Sequence, residues 1–324
     1  MSIVRIAVIG ADQLDPDHHL ALNEFSETGD ITAFALDADA DESGFALLQS
    51  AMQSDALDAI MLTGQRDSVR DWAVFALENG WPVYCAHAVP TAIEDMIEIR
   101  RAEQNQAGSI LQFGLTARHH DSIQAALAKQ ASGEYGRLLT LRGVCGCPSA
   151  ERSDSVAFDL GPQLLDLIQL FAGPFQEVSG FSDLDRTETP GSETNVLATL
   201  RTHSGTLASL HFSASQWRPT FRLELGFERG YMWLEGLNTQ RHNFGQEVLV
   251  YARTDGTSAR HETVDRFDES QGAKRSLEAF LTRLKAPDSA ATGTSMQAFD
   301  TLNILHRILA ADPIFAPIEE RHVS

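Results

Sequence analysis

The chain has 324 residues, 43 % of them hydrophobic and 22 % charged, and a formal net charge of −20 at neutral pH. That length suits two domains of about 100 to 200 residues each, with enough apolar sequence in both halves to build cores. So acidic a balance argues against a nucleic-acid partner, which needs a basic face for phosphate, and against an anionic membrane surface.

Short β-branched runs alternate with longer helical patterns over the first 115 or so residues. Strands are expected at Ile3 to Ile9, Ile31 to Leu36, Ala59 to Leu62, Val83 to Cys85 and Ile110 to Phe113. Helices lie between them, among them Ser68 to Asn79 and Thr91 to Gln104, the latter started by a Thr91/Glu94 capping box after Pro90. Such alternation implies parallel strands with right-handed crossovers, a doubly wound sheet. After a helix near Asp121 to Lys129 the pattern changes. Leu138 to Val144, Val196 to Thr202, Thr206 to Ser213, Phe221 to Phe227, Tyr231 to Glu235 and Glu247 to Ala252 alternate as antiparallel neighbours do. Helices are expected at Phe158 to Phe171, Ser270 to Leu284 and Ser295 to Ala310. The fold class is thus α/β, a Rossmann-type unit over 1–117, followed over 118–324 by an α+β domain with an open-faced, largely antiparallel sheet, with packing of the last helices back on the first domain as the alternative.

The three cysteines, Cys85, Cys145 and Cys147, are an odd number in a large chain and point to a reducing compartment. No segment approaches the ~20 apolar residues of a membrane span, so a cytoplasmic protein is expected. The pairs His18-His19, His119-His120 and Cys145-Gly146-Cys147 lack the spacing of a zinc frame, and no metal is expected.

A dinucleotide-binding turn carries three glycines after the first strand, where a side chain would hold the backbone off the pyrophosphate. Here the turn reads Gly10-Ala11-Asp12-Gln13-Leu14-Asp15, so only the first glycine is present. Asp12 and Asp15 bring carboxylates to the place of the diphosphate, although both, with Asp17, also suit a helix start. Asp37, at the end of the second strand, stands where an acidic residue accepts from an NAD ribose and disfavours a 2′-phosphate; a solvated acidic turn reads equally well.

Several stretches together are similar to the glucose-fructose oxidoreductase / inositol dehydrogenase / MocA family. They are Ala76-Leu77-Glu78-Asn79-Gly80-Trp81-Pro82-Val83-Tyr84-Cys85, Gly133-Glu134-Tyr135-Gly136-Arg137-Leu138, Asp159-Leu160-Gly161-Pro162-Gln163-Leu164-Leu165-Asp166, and Leu277-Glu278-Ala279-Phe280 with Gly293. The resemblance implies NAD(P)-dependent oxidation of a sugar, cyclitol or related alcohol between the domains, and an open sheet that often mediates oligomers. It implies a cofactor site at Gly10, Ala11, Asp12, Asp37 and Thr63, with NAD favoured by Asp37 and loss of the cofactor as the alternative.

The chain departs from the family's catalytic pattern twice. Ala86-His87-Ala88 stands in place of Glu-Lys-Pro, so His87 matches the lysine; on the central helix Asp159 is kept, but Gln163 matches the histidine. Gln163 cannot take a proton, which leaves His87 as the base that alcohol oxidation requires; a hydrogen-bonded structural histidine at 87 and a helix N-cap at Asp159 are the alternative readings. Arg118 and His119 are expected to meet a small polar ligand, Arg118 by resemblance and His119 by its neighbourhood, because Arg forks onto carboxylates and His pairs with hydroxyls. Asp166 reads as structural.

Three functions follow as expectations. One is a divergent NAD(P)-dependent oxidoreductase with His87, Asp159 and Gln163 around a small polar substrate. Another is a catalytically silent binding or regulatory homologue, and the third a redox-neutral isomerase or lyase using His87 and Asp159. A homodimer or larger assembly through the second domain's sheet is expected in each.

Overall fold

The computed structural model describes residues 3–36, 39–54, 57–63, 66–86, 89–148, 155–184, 193–237, 244–254, 261–268 and 271–313. The chain divides into two compact units, residues 1–116 with 271–302 and residues 117–270 with 303–324.

In the first unit, β1 (Val4–Ile9), β2 (Ile31–Leu36), β3 (Ala59–Leu62), β4 (Val83–Cys85) and β5 (Leu111–Phe113) form a sheet in the order β2-β1-β3-β4-β5. Every neighbouring pair is parallel. The strands β3, β4 and β5 are buried along their whole length, which is why they read as continuous apolar runs. Helices α1 (Pro16–Glu27), α2 (Glu42–Gln53), α3 (Arg66–Glu78) and α4 (Ile93–Asn105) connect them. A further helix, α7 (Gly272–Lys285), buries Leu277, Phe280 and Leu281 with Ile6, Val8, Ala21 and Leu22 in one core. On the opposite face α3 packs on β3 and β4 with α4 beside it. This is the doubly wound Rossmann arrangement, and the strand order reverses between β1 and β3, where Ile9 pairs with Leu62. The turn after Ile9 and residue Thr63 therefore lie at the switch point.

In the second unit, eight strands run in the order β13-β12-β11-β10-β6-β9-β8-β7. They are β6 (Leu138–Pro148), β7 (Phe175–Ser182), β8 (Asn195–Thr202), β9 (Leu207–Ser213), β10 (Ser215–Phe227), β11 (Gly230–Glu235), β12 (Glu247–Arg253) and β13 (Thr263–Phe267). All pairs are antiparallel except β6 with β9. That parallel pair is the crossover in which α6 (Val156–Ala172) and the β7–β8 hairpin intervene. Leu160, Leu164, Leu165 and Ile168 of α6 share a core with Leu141, Leu210, Phe212 and Leu223 of the sheet. On β8 buried and exposed residues alternate, so the sheet has one covered and one open face. Helix α5 (Asp121–Ala131) precedes the sheet, and α8 (Ser295–Ala310) adds Ile304, Leu305 and Ile308 to the same core. None of the described helices is long and apolar enough to cross a membrane.

Two local expectations are corrected. The Thr91/Glu94 capping box does not form, because α4 starts at Ile93 with Ala92 at its N-cap and no side-chain capping bond. A slip of one residue takes Thr91 and Glu94 out of the reciprocal spacing that the box needs. Likewise Asp159 is not an N-cap: α6 starts at Val156, capped by Ser155, whose hydroxyl accepts from the Phe158 N–H.

Between α7 and α8 the chain passes Gly293, whose φ of +60° favours glycine and whose carbonyl accepts from the Phe113 N–H at 2.7 Å. A Cβ there would lie 2.1 Å from the Phe113 carbonyl oxygen. Gly293→Ala is therefore expected to cost about 2 kcal/mol or more in urea melts. Gly108→Ala, at φ +79° but in open space, should cost about 1 kcal/mol.

Candidate functional site

The turn at the switch point keeps its first glycine for a conformational reason. Gly10 has φ 77° and ψ 37°, the left-handed region, and starts a short 3-10 turn, Ala11–Gln13, on which Asp12 is exposed. Buried Thr63, just after β3, donates its hydroxyl to the Ile9 and Gly10 carbonyls and its N–H to Ile9, which ties the turn to the sheet.

Helix α1 is closed by its own side chain. Asp15 is the N-cap, with Pro16 at the first helical position, and its Oδ1 accepts from the N–H groups of Asp17 at 2.9 Å and His18 at 3.0 Å. Its Oδ2 lies 2.5 Å from His18 Nδ1. His18 Nε2 is 2.9 Å from the Tyr84 hydroxyl, which in turn donates to Ser276 Oγ at 2.9 Å. A polar chain thus runs from the start of α1 through β4 to α7, with His18, Tyr84 and Ser276 all buried. Burial pushes the Tyr84 phenol well above its usual range.

A dinucleotide would set its diphosphate at the N-terminus of α1. There the described residues offer it a poor fit. The two N–H groups that would receive a phosphate oxygen already bind the Asp15 carboxylate, and a second anion beside it meets like-charge repulsion. Asp37 and His87 lie outside the described residues.

In the second unit, α6 carries Asp159 and Gln163 one turn apart on one face. Both are half-buried. The Gln163 Oε1 accepts from the Ala117 N–H at 3.1 Å, so the side chain that stands at the family's histidine position holds backbone. Asp159 lies close enough to β6 to act on Cys145: burial first, then Cys147 and Asp159, push that thiol far up. Cys85 is likewise pushed up to about 12 by burial, so neither is a ready nucleophile. Ser155, the α6 cap, also donates its hydroxyl to buried Glu193.

Arg118 is buried, and its guanidinium forks onto Asp166, with Nε donating to Oδ2 at 3.0 Å and Nη2 to Oδ1. Burial raises the Asp166 carboxyl and the Arg118 pairing opposes it. His119 is half-exposed, whereas neighbouring His120 is buried with Nδ1 2.5 Å from Glu247 Oε1. Ser122 Oγ donates to the other oxygen of Glu247 at 2.8 Å. Among the described residues no group of three or more His, Cys, Asp or Glu could hold a metal ion.

These features define a class: a Rossmann unit joined to an α+β unit whose long helix carries the polar residues. Residues 123–233 match the model of the GFO/IDH/MocA C-terminal domain. Inositol 2-dehydrogenase of Corynebacterium glutamicum is 26 % identical over 286 residues, 81 % of this chain and 83 % of that protein. The inositol 2-dehydrogenase of Leifsonia xyli subsp. xyli is 28 % identical over 180 residues, 50 % and 53 % of the two chains. Levoglucosan dehydrogenase, solved with NADH and L-sorbose, superposes with a TM-score of 0.79 at 12 % identity over 96 % of this chain and 97 % of that one. UDP-N-acetylglucosamine 3-dehydrogenase from Acidithiobacillus ferrooxidans gives 0.75 at 17 % identity over 97 % and 99 %. The structural likenesses show the fold, and over residues 123–233 the chain is similar to the GFO/IDH/MocA C-terminal domain.

Asp15→Ala removes a cap and the partner of a buried imidazole, and is expected to lower unfolding stability by about 1 to 2 kcal/mol, against under about 0.5 kcal/mol for exposed Asp12→Ala. Denaturant melts of the two variants compare them directly. Arg118→Ala strands a buried carboxylate and should cost about 3 to 5 kcal/mol, whereas Arg118→Met combined with Asp166→Leu should recover most of that loss. Equal losses in the single and double variants would show that the pair's charge is not what matters.

Proposed function

We propose that the protein is an oxidoreductase acting on a small polyhydroxylated substrate, a sugar, cyclitol or hydroxy acid. The observation that carries this reading is the Asp159–Gln163 face of α6 in a chain whose named relatives are dehydrogenases of such compounds. Asp159 would accept from substrate hydroxyls and Gln163 would orient the reacting carbon's neighbours. His87, at the family's lysine position, would take the hydroxyl proton. His119 would lie at the edge of the ligand, while Arg118, committed to Asp166, would hold the backbone that presents His119. Oxidation of a carbinol also releases a hydride, for which NAD, favoured over NADP by Asp37, would be the acceptor. With Asp15 closing α1, its affinity should be weak, with a Kd nearer 1 mM than 1 μM, a difference of about 4 kcal/mol.

A second reading, a ligand-binding homologue without redox turnover, is favoured by one observation, the Asp15 cap itself. Calorimetric titration with NAD⁺, NADH, NADP⁺ and NADPH, followed by a polyol and sugar screen, separates the two. The oxidoreductase reading expects NAD to bind more tightly than NADP, and polyol-dependent NADH formation that falls about 100-fold or more in His87→Ala. A polyol that binds while no dinucleotide does at about 10 mM would establish the second reading and overturn the first.

A further inference from the structure

A cleft in the second unit, apart from α6, has the chemistry of a binding site. Its volume is about 710 Å³, within the range of roughly 300 to 1,000 Å³ common for small-molecule sites. It lies between the C-terminal end of α5 and the strands β12 and β13, with walls that include Ala128, Tyr135, Tyr251 and Ala252. The position is remote from Asp159. Along the β6–β10 ladder, Phe227 pairs with Leu138 at the cleft's end, whereas Phe221 pairs with Cys145 at the Asp159 end. Seven residues of strand separate them, roughly 20 Å.

Charge in this cleft runs against the rest of the protein. The Lys129 ammonium stands 3.7 Å over the Tyr251 ring. It makes no hydrogen bond to the described residues, and the carboxylate it faces, Asp265, is 3.9 Å away. The ammonium is thus held over an aromatic wall, paired with Asp265 only at long range and without a hydrogen-bond acceptor among the described residues. Arg253 pairs with Glu134, but both side chains are about half exposed, 47 % and 59 %, so the pair is worth little and is readily exchanged for a better acceptor. Arg253 and Ala252 also line a smaller hollow of about 230 Å³, so the two spaces share these residues.

We propose that this cleft is a second ligand site, taking a small organic anion with a flat apolar body, of the kind represented by an aromatic carboxylate. The carboxylate would receive N–H bonds from Lys129 and Arg253, and the flat body would lie along the tyrosine rings and alanine methyls. The site does not depend on the reading of Asp159, Gln163 or His87.

Ligand-observed NMR titration of the intact protein tests it, with benzoate as the anion and benzyl alcohol as its neutral counterpart. Benzoate should bind saturably, about tenfold or more tightly than benzyl alcohol, and should weaken about tenfold in Lys129→Gln and in Arg253→Gln while Lys129→Arg keeps most of the affinity. Bound benzoate should also protect amides of 125–135 and 247–253 from hydrogen exchange, a readout that needs no variant. Failure of benzoate to saturate, equal binding of the neutral alcohol, affinity unchanged in both glutamine variants, or protection elsewhere would each overturn the proposal.

Discussion

The carboxylate of Asp15 sets the start of α1, and much of the first unit depends on what it holds. Its bonds to two backbone N–H groups satisfy part of the open helix end, and its contact with His18 carries that anchor inward to Tyr84 and Ser276. Gln112, on β5, donates to the Ser276 carbonyl at 2.7 Å and adds a third strand-to-helix tie. Elements distant in sequence are therefore fixed by hydrogen bonds in a place where unsatisfied polar atoms would be costly. The same carboxylate fills the electrostatic role that an incoming phosphate has in an ordinary dinucleotide turn. Structural need and cofactor need compete for one helix end, and in this chain the structural partner is covalently present and at effectively high concentration.

The second unit repeats the theme with different groups. Arg118 with Asp166, His120 with Glu247, and Ser155 with Glu193 are buried pairs that consume side chains of the sort usually sought in an active site. Each pair sits where a helix begins or where α6 meets the chain entering the unit, so their energy goes into fixing backbone rather than into contact with a ligand. Breaking such pairs is expensive because the partner stays buried. On α6 the Gln163 Oε1 is likewise engaged, accepting from the Ala117 N–H.

Legibility in the sequence followed burial. Strands β3, β4 and β5 are visible as unbroken apolar runs because both their faces are covered. Strands β7 and β13 were not anticipated. β7 carries Ser179, Gly180 and Ser182 within a mixed burial pattern, and β13 has five residues with no buried position. The parallel β6–β9 pair could not be read either, since alternation reveals exposure and not direction. In the candidate site, Asp159 and Gln163 are legible through resemblance to the family's helix motif, and their spacing adds that they share one face. The His18–Tyr84 link was not, although a signal for it existed: Asp-Pro-Asp-His places a histidine three residues after an N-cap carboxylate, and a tyrosine in an otherwise apolar strand needs a partner for its hydroxyl.

Polar residues in this family frame can thus be sorted by how far their partners lie in sequence. His18 and Asp15 are three residues apart, and their local motif is self-sufficient. Arg118 and Asp166 are 48 apart, and His120 and Glu247 are 127 apart, so their pairing appears only when the sheet has brought α5, α6 and β12 together. A charged residue in a resemblance motif is for that reason ambiguous until its long-range partner is known. Arg118 shows the consequence: its position matches a ligand-facing arginine, yet the acid seven residues after Asp159 on the same helix claims it. With Nε and Nη2 both donating to the Asp166 carboxylate, the fork is filled inside the unit, and the pair braces the chain entering α5 against the middle of α6.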